Sequence, residues 1–227
     1  MKIFFITGIG TDIGKTYVTA RLLRALMAYQ IKVSSFKLVQ TGMTEGQIAP
    51  DILAHRSDSG QPLSEADRIG LSCGATFPYA ASPHLAASLL GTTIDGAQLW
   101  QRLTHYATTC GADVVFCEGA GGVFVPLNHT ELTVDWLIAH RLPIILIANA
   151  ALGSIHHSIA TLEAMRSRGI SPRWLIYNPY PYAAPLIAQD SSQYLAAYLA
   201  RNHPTVGFLH LSAGSKLPED FINIFRD

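Results

Sequence analysis

Apolar side chains come in short runs along this chain, and the runs read as buried strands. Ile3 to Thr7, Lys32 to Leu38, Asp113 to Cys117, Pro143 to Ala148, Arg173 to Tyr177 and Thr205 to Leu209 are rich in β-branched, aliphatic or aromatic residues, the pattern of strands covered on both faces. Between them, at Lys15 to Tyr29, Ala97 to Thr109, Thr133 to His140, Ile155 to Arg168 and Leu186 to Arg201, apolar residues return every three or four positions, as on one face of a helix. Strand and helix alternate, which predicts an α/β fold with a mostly parallel central sheet and helices on both faces. Ligands of such sheets bind beyond the carboxyl ends of the strands. The stretch from Val39 to Thr93 breaks the rhythm. It is rich in Gly, Ser, Pro and polar residues and predicts loops and short helices packed over one edge. No internal repeat is present, and a single domain over residues 1–227 is expected.

Composition narrows the classes of partner. With 49% apolar and 14% charged residues over 227 positions, the chain can bury a sizeable core. Its 16 basic and 16 acidic side chains cancel, so the electrostatic footprint of a nucleic-acid or membrane-surface binder is missing. The longest apolar stretch, Leu142 to Gly153, is interrupted by Pro143 and Asn149 and falls short of the ~20 residues of a membrane span. Met1 and Lys2 lead into an apolar segment that ends at Gly8, too short for a signal-peptide core. The three cysteines show no C-x-x-C spacing, which fits a reducing cytoplasm.

Candidate chemistry begins right after the first strand. Gly8-Ile9-Gly10-Thr11-Asp12-Ile13-Gly14-Lys15-Thr16 satisfies G-x-x-x-x-G-K-[ST] between a strand and a helix, where that motif must sit to cradle phosphates with backbone N–H groups and a helix N-terminus. Lys15 should reach the β and γ phosphates, and the Thr16 hydroxyl should ligate magnesium. Lys37 ends the second strand, at the edge that carries the phosphate loop. There it is either a solvated surface lysine or a cation that offsets charge in phosphoryl transfer. Glu118 ends the strand after Asp113 and precedes Gly119-Ala120-Gly121-Gly122, so it fits an acidic magnesium ligand with glycines that let backbone approach a nucleotide. Asp51 reads equally as the N-cap of a short helix or as a second metal ligand. Asp12 adds negative charge inside the loop, which calls for a cation or an amine nearby. The histidines have no metal-ligand spacing and read mostly as surface or helix-end residues, and no G-x-S-x-G elbow appears.

Together, the phosphate loop, Phe36-Lys37-Leu38-Val39-Gln40-Thr41-Gly42, Ser82-Pro83-His84, Glu118 to Gly122 with Pro126-Leu127 behind it, and Leu152-Gly153-Ser154-Ile155 resemble the dethiobiotin synthetases. The resemblance spans about residues 3 to 210. It implies a P-loop NTPase fold and an ATP- and magnesium-dependent ligase of biotin biosynthesis that joins 7,8-diaminononanoate and CO2 into a cyclic urea, with ADP and phosphate as by-products. It further implies that Lys37, Lys15 and Thr11 act on the carbamate and phosphoryl groups. Asp12, Lys37, Thr41 and the Leu152, Gly153, Ser154, Ile155 and His156 segment would contact the diamine substrate. Thr16, Asp51 and Glu118 would hold magnesium. Asp12, Ile13, Gly14, Lys15, Thr16, Tyr17, Gly119, Ala120 and Gly121 would line the nucleotide, with Asn178, Pro179, Leu209, His210 and Leu211 around its base. The implied active form is a homodimer in which the Leu152 to His156 helix start of one subunit caps the substrate carboxylate of the other. Leu38, Gly10, His156 and His210 depart from the residues usual in that family, and none of them is an implied phosphate or metal ligand. The rival reading is a switch ATPase of the partitioning type. Such proteins carry an extra lysine early in the loop, where this chain has Gly8, Ile9 and Gly10.

Overall fold

The computed structural model describes residues 1–44, 46–179, 184–211 and 216–226. Its strands are β1 (Lys2–Gly8), β2 (Val33–Thr41), β3 (Cys73–Phe77), β4 (Val114–Gly122), β5 (Ile144–Asn149), β6 (Trp174–Asn178) and β7 (Gly207–His210). Among the described residues the helices are α1 (Lys15–Ala28), α2 (Pro50–Ser59), α3 (Glu65–Arg68), α4 (Pro83–Ser88), α5 (Gly96–Thr109), α6 (Thr133–His140), α7 (Ser154–Ser167), α8 (Pro185–Asn202) and α9 (Glu219–Arg226). The strands form one sheet in the order β3-β2-β4-β1-β5-β6-β7, and every pairing is parallel.

Period-two alternation sends neighbouring side chains of one strand into different cores. Phe5, Phe36, Val115, Cys117 and Leu146 face a core completed by α5, α6, α7 and α8, with Leu103, Tyr106, Trp136, Leu162 and Leu195. Phe4, Ile6, Phe116, Ile145 and Ile147 face the opposite one, against Val18, Leu22, Leu23 and Leu26 of α1 and Phe221, Ile222 and Phe225 of α9. The expected three layers are therefore present.

One expectation is corrected. The stretch from Val39 to Thr93 holds more than loops and short helices, because β3 extends the sheet by one edge strand. Its Gly74 lets the backbones close in: a Cβ there would lie 2.3 Å from the Leu38 carbonyl oxygen, so the residue that hides the strand from a propensity reading also permits it. Helix α9 packs its apolar face onto the sheet, with Phe225 edge-on to Phe4 and Phe116.

Candidate active site

Strand order and register bring the candidate residues together. β1 lies beside β4, and β4 beside β2. Ile6 is in register with Glu118, and Glu118 with Lys37, which sets all three beside the loop that follows β1. Lys37 and Glu118 do not end their strands as the apolar runs predicted, because β2 continues to Thr41 and β4 to Gly122, past the ends of those runs. In that loop Asp12 (φ 55°) and Gly14 (φ 87°) take left-handed conformations, a curl that turns successive N–H groups toward one centre. A Cβ at Gly8 would meet Ile13 Cδ1 at 2.0 Å and push that side chain aside. Helix α1 then starts at Lys15 with no side-chain cap and no acidic residue in its first turn, which leaves its N-terminus suited to an anion. Lys15 Nζ is folded back onto the Gly10 carbonyl at 3.1 Å.

Glu118 is fully buried and surrounded by donors. Its Oε1 accepts from Thr16 Oγ1 at 3.0 Å and from Lys37 Nζ at 2.9 Å. Thr19 Oγ1 lies 2.8 Å and His55 Nε2 2.9 Å from its Oε2. Lys37 Nζ also lies 2.5 Å from Asp51 Oδ2 and donates to the Gly119 carbonyl at 3.1 Å. Burial alone would raise the Glu118 carboxyl, but the Lys37 ammonium and His55 outweigh it and hold the group well below its ordinary range. Burial alone would lower Lys37, and the two carboxylates reverse that and push it up. Lys15 lies lower than usual because it is buried and faces the Lys37 charge. The site thus concentrates two ammonium groups and two carboxylates where polyphosphate chemistry would need them.

A cavity of about 460 Å³ is lined by Thr11, Asp12, Gly14, Lys15, Thr16, Tyr17, Lys37, Thr41, Asp51, Glu118, Ala120 and Gly121, together with Val39 and Gln40, which sequence reasoning had not singled out. Asp51 is the second residue of α2, and the N-cap is Ala49. The N-cap reading is therefore set aside, and the carboxylate turns to Lys37 instead. Thr16, Asp51 and Glu118 offer a hydroxyl and two carboxylates around a point already favourable to a cation, the donor chemistry of magnesium. His55 is an exception to the mostly surface placement of the histidines, being fully buried. The residues expected at the base and at the substrate carboxylate lie outside this cavity. Asn178 is buried and its Nδ2 donates to the Ile13 carbonyl of the phosphate loop at 3.1 Å. Pro179 is half-buried, Leu209 and Leu211 are buried in the α1 and α9 core, and His210 is exposed with Nδ1 2.8 Å from Ser192 Oγ.

The other group forms a separate depression. A cavity of about 450 Å³ joins Leu152, Gly153, Ser154 and Ile155 to Leu186, Ile187 and Asp190. Gly153 (φ 92°) precedes α7, again with neither a side-chain cap nor an acidic first turn. The Ser154 hydroxyl, buried there, has no hydrogen-bond partner among the described residues. Leu152 and Leu186 are 96% and 78% exposed.

Sequence relatives decide among P-loop enzymes. The chain is 41% identical over 208 residues to the ATP-dependent dethiobiotin synthetase BioD 2 of Pasteurella multocida, covering 91% of this chain and 95% of that one. It is 40% identical over 183 residues to the ATP-dependent dethiobiotin synthetase BioD of Lysinibacillus sphaericus, covering 78% and 76%. The chain belongs to the dethiobiotin synthetase family. Residues 2–207 also match the family described as an AAA domain. At the level of fold, the chain is similar to a ParA family ATPase from Chlorobium tepidum, with a TM-score of 0.51 at 15% identity, covering 99% of this chain and 88% of that one. It is likewise similar to the MinC:MinD complex of Aquifex aeolicus, with a TM-score of 0.52 at 16% identity, covering 99% and 86%. Those two likenesses speak for the P-loop NTPase fold alone. No described helix is long and apolar enough to cross a membrane.

Proposed function

We propose that this ATP-dependent enzyme is a cyclo-ligase that makes dethiobiotin from 7,8-diaminononanoate, CO2 and ATP, with residues 1–227 acting as one unit. One amine takes up CO2 as a carbamate. A carbamate oxygen attacks the γ phosphorus and ADP leaves. The second amine then attacks the carbonyl carbon of the mixed anhydride, the carbon–oxygen bond breaks, and phosphate departs from the closed urea. The observation that carries the reading is Lys37: a buried ammonium fixed between Asp51 and Glu118, beside the phosphate loop, in a chain of this family.

Each residue has a task on that reading. The loop from Thr11 to Tyr17 and the Gly119, Ala120 and Gly121 backbone bind the triphosphate. Lys15 and Lys37 hold the negative charge that moves from carbamate to phosphoryl group, and Thr11 orients the carbamate. Asp12 and Thr41 meet the amine end of the substrate. Thr16, Asp51 and Glu118 would hold magnesium, which when bound draws charge from the β and γ phosphates. Asn178, tied to the loop, stands with Pro179, Leu209, His210 and Leu211 at the base end. The free Ser154 hydroxyl and the uncapped start of α7 suit the substrate carboxylate, and His156 lies on the same turn. A second copy of the chain would cover Leu152, Leu186 and Ile187 and deliver that helix end to its neighbour's site. The unpaired cysteines Cys73, Cys110 and Cys117 fit work in the cytoplasm.

The switch-ATPase alternative rests on fold likeness at 15–16% identity and is not favoured by any residue of the site. The test is ADP release with ATP, magnesium and bicarbonate, with and without the diamine. Release that requires the diamine and is matched by cyclic urea is the expected result. Release indifferent to the diamine would return the weight to a switch ATPase.

A further inference from the structure

The two oxygens of Glu118 face different surroundings. Oε1 looks toward the cavity, where Thr16 and Lys37 donate to it. Oε2 looks away from it, toward Thr19 and His55. Thr19 has a single hydroxyl proton, and its oxygen lies 2.9 Å from the Lys15 carbonyl as well as 2.8 Å from Oε2, so the proton is shared between two acceptors. His55 is the donor that could serve Oε2 without competition, provided Nε2 carries its proton.

The residues behind His55 decide that point. Its Nδ1 lies 3.0 Å from Ser35 Oγ. Ser35 Oγ already accepts from Arg56 Nη1 at 2.8 Å, and a guanidinium only donates. The serine proton must therefore go elsewhere, and His55 Nδ1 is the only acceptor within its reach among the described residues. With Nδ1 accepting that proton, a neutral ring carries its own on Nε2, pointing at Glu118. Arg56 is itself held by Asp67, from Nε at 2.9 Å and from Nη2 at 3.0 Å. Ser35, His55 and Glu118 are each 0% exposed, so no bulk water competes for these bonds. The chain of donors runs one way, from Arg56 through Ser35 and His55 to the carboxylate.

We infer that His55 is a positioning residue: it pins Oε2 so that Oε1 is presented to the metal and nucleotide, and Ser35 and Arg56 set the tautomer that lets it do so. The terminal torsion of a glutamate side chain is soft, so a carboxylate held from one side only can turn. Groups that orient a metal ligand from behind typically cost ~10–100-fold in metal affinity or activity when removed. The inference rests on the proposed role of Glu118 as a magnesium ligand.

Two measurements on the full chain test it. Nitrogen-15 NMR of the imidazoles should find the His55 ring with its proton on Nε2 and a bare Nδ1; any ring form with a proton on Nδ1 overturns the inference. Manganese titration in the presence of a non-hydrolysable ATP analogue, followed by electron paramagnetic resonance, should show binding weakened ~10–100-fold in His55→Leu. Nucleotide affinity without metal should stay within about twofold of the parent in the same variant. His55→Gln, which keeps an N–H in reach of Oε2, should restore most of the metal affinity. Unchanged manganese binding in His55→Leu alongside weakened binding in Glu118→Gln overturns the positioning role alone. Unchanged binding in Glu118→Gln overturns the reading of Glu118, and this inference with it. Should His55→Leu fail to fold, Ser35→Ala keeps the ring and removes the proton that orders it; a mixture of tautomers with weaker manganese binding supports the inference, and a single Nε2–H form overturns the part assigned to Ser35.

Discussion

On the proposed function, Lys37 is the side chain on which most of the chemistry turns. Its ammonium balances Asp51 and Glu118 in the described state, and on the proposed mechanism it stabilises charge on the reacting groups. Lys37→Ala is therefore expected to retain nucleotide binding and to lose at least ~10²–10³-fold in turnover, measured by ligand titration beside single-turnover kinetics. Unchanged turnover contradicts the role. A second buried pair makes a different prediction. Burial would raise the Asp67 carboxyl, but the Arg56 guanidinium and the Ser64 backbone N–H outweigh it and hold it below the usual carboxylate range. A depressed folded value means stability that is present above the unfolded value of about 4 and is lost as pH falls through the folded one. Asp67→Asn should cost about 3–5 kcal/mol at neutral pH by leaving Arg56 buried and uncompensated, and should flatten the acid limb of a pH–denaturation series. An unaltered limb would sink that assignment. The placement of Lys15 and Thr16 was legible in sequence because a strand, a glycine loop and a helix meet there in fixed order, and that of Glu118 because an apolar run precedes it and glycines follow. Asp51 was ambiguous since only the fold brings α2 against Lys37 of β2. His55 was invisible, because a lone histidine carries no signal until the fold brings Ser35 and Glu118 to its two nitrogens.

At the scale of elements, the strands with unbroken apolar runs were readable and the compromised ones were not. All six residues of β5 are buried, and that run announced itself. β3 did not, since Gly74 and Ala75 dilute its pattern and its reason for existing is the close approach to Leu38. Helix α9 was hidden by its length: its eight residues are recognisable as a core helix only through Phe221, Ile222 and Phe225 lying on one face. The start of α7 shows how an element can be structured for something outside its own fold. Its uncapped end, the free Ser154 hydroxyl and the exposed Leu152 next to Leu186 make no internal use of their position. Leu152→Asp should convert a dimer into monomers in sedimentation velocity and raise the KM for the diamine, with nucleotide affinity unchanged. A parent chain that sediments as a monomer at the concentrations of full activity contradicts the shared site.

For the whole molecule, the order β3-β2-β4-β1-β5-β6-β7 explains why distant sequence segments cooperate. It sets β1, β4 and β2 side by side and so brings the loop after β1, Glu118 of β4 and Lys37 of β2 together. The same sheet carries the α7 end on the other side of β1, apart from the phosphate site, and on the proposed function a second subunit joins the two. The fold class followed from alternation of strand and helix. The separation of the two depressions is a matter of topology, since β4 and β2 lie on one side of β1 and β5, which leads into α7, lies on the other, and sequence spacing says nothing of which side of β1 a segment reaches. The most direct test of the account is the fate of oxygen in the reaction, with oxygen-18 and carbon-13 bicarbonate supplied together with ATP and the diamine. The account predicts carbon-13 in the cyclic urea and oxygen-18 from the carbamate in the released phosphate. Phosphate carrying oxygen from water alone, with no labelled urea, would contradict it.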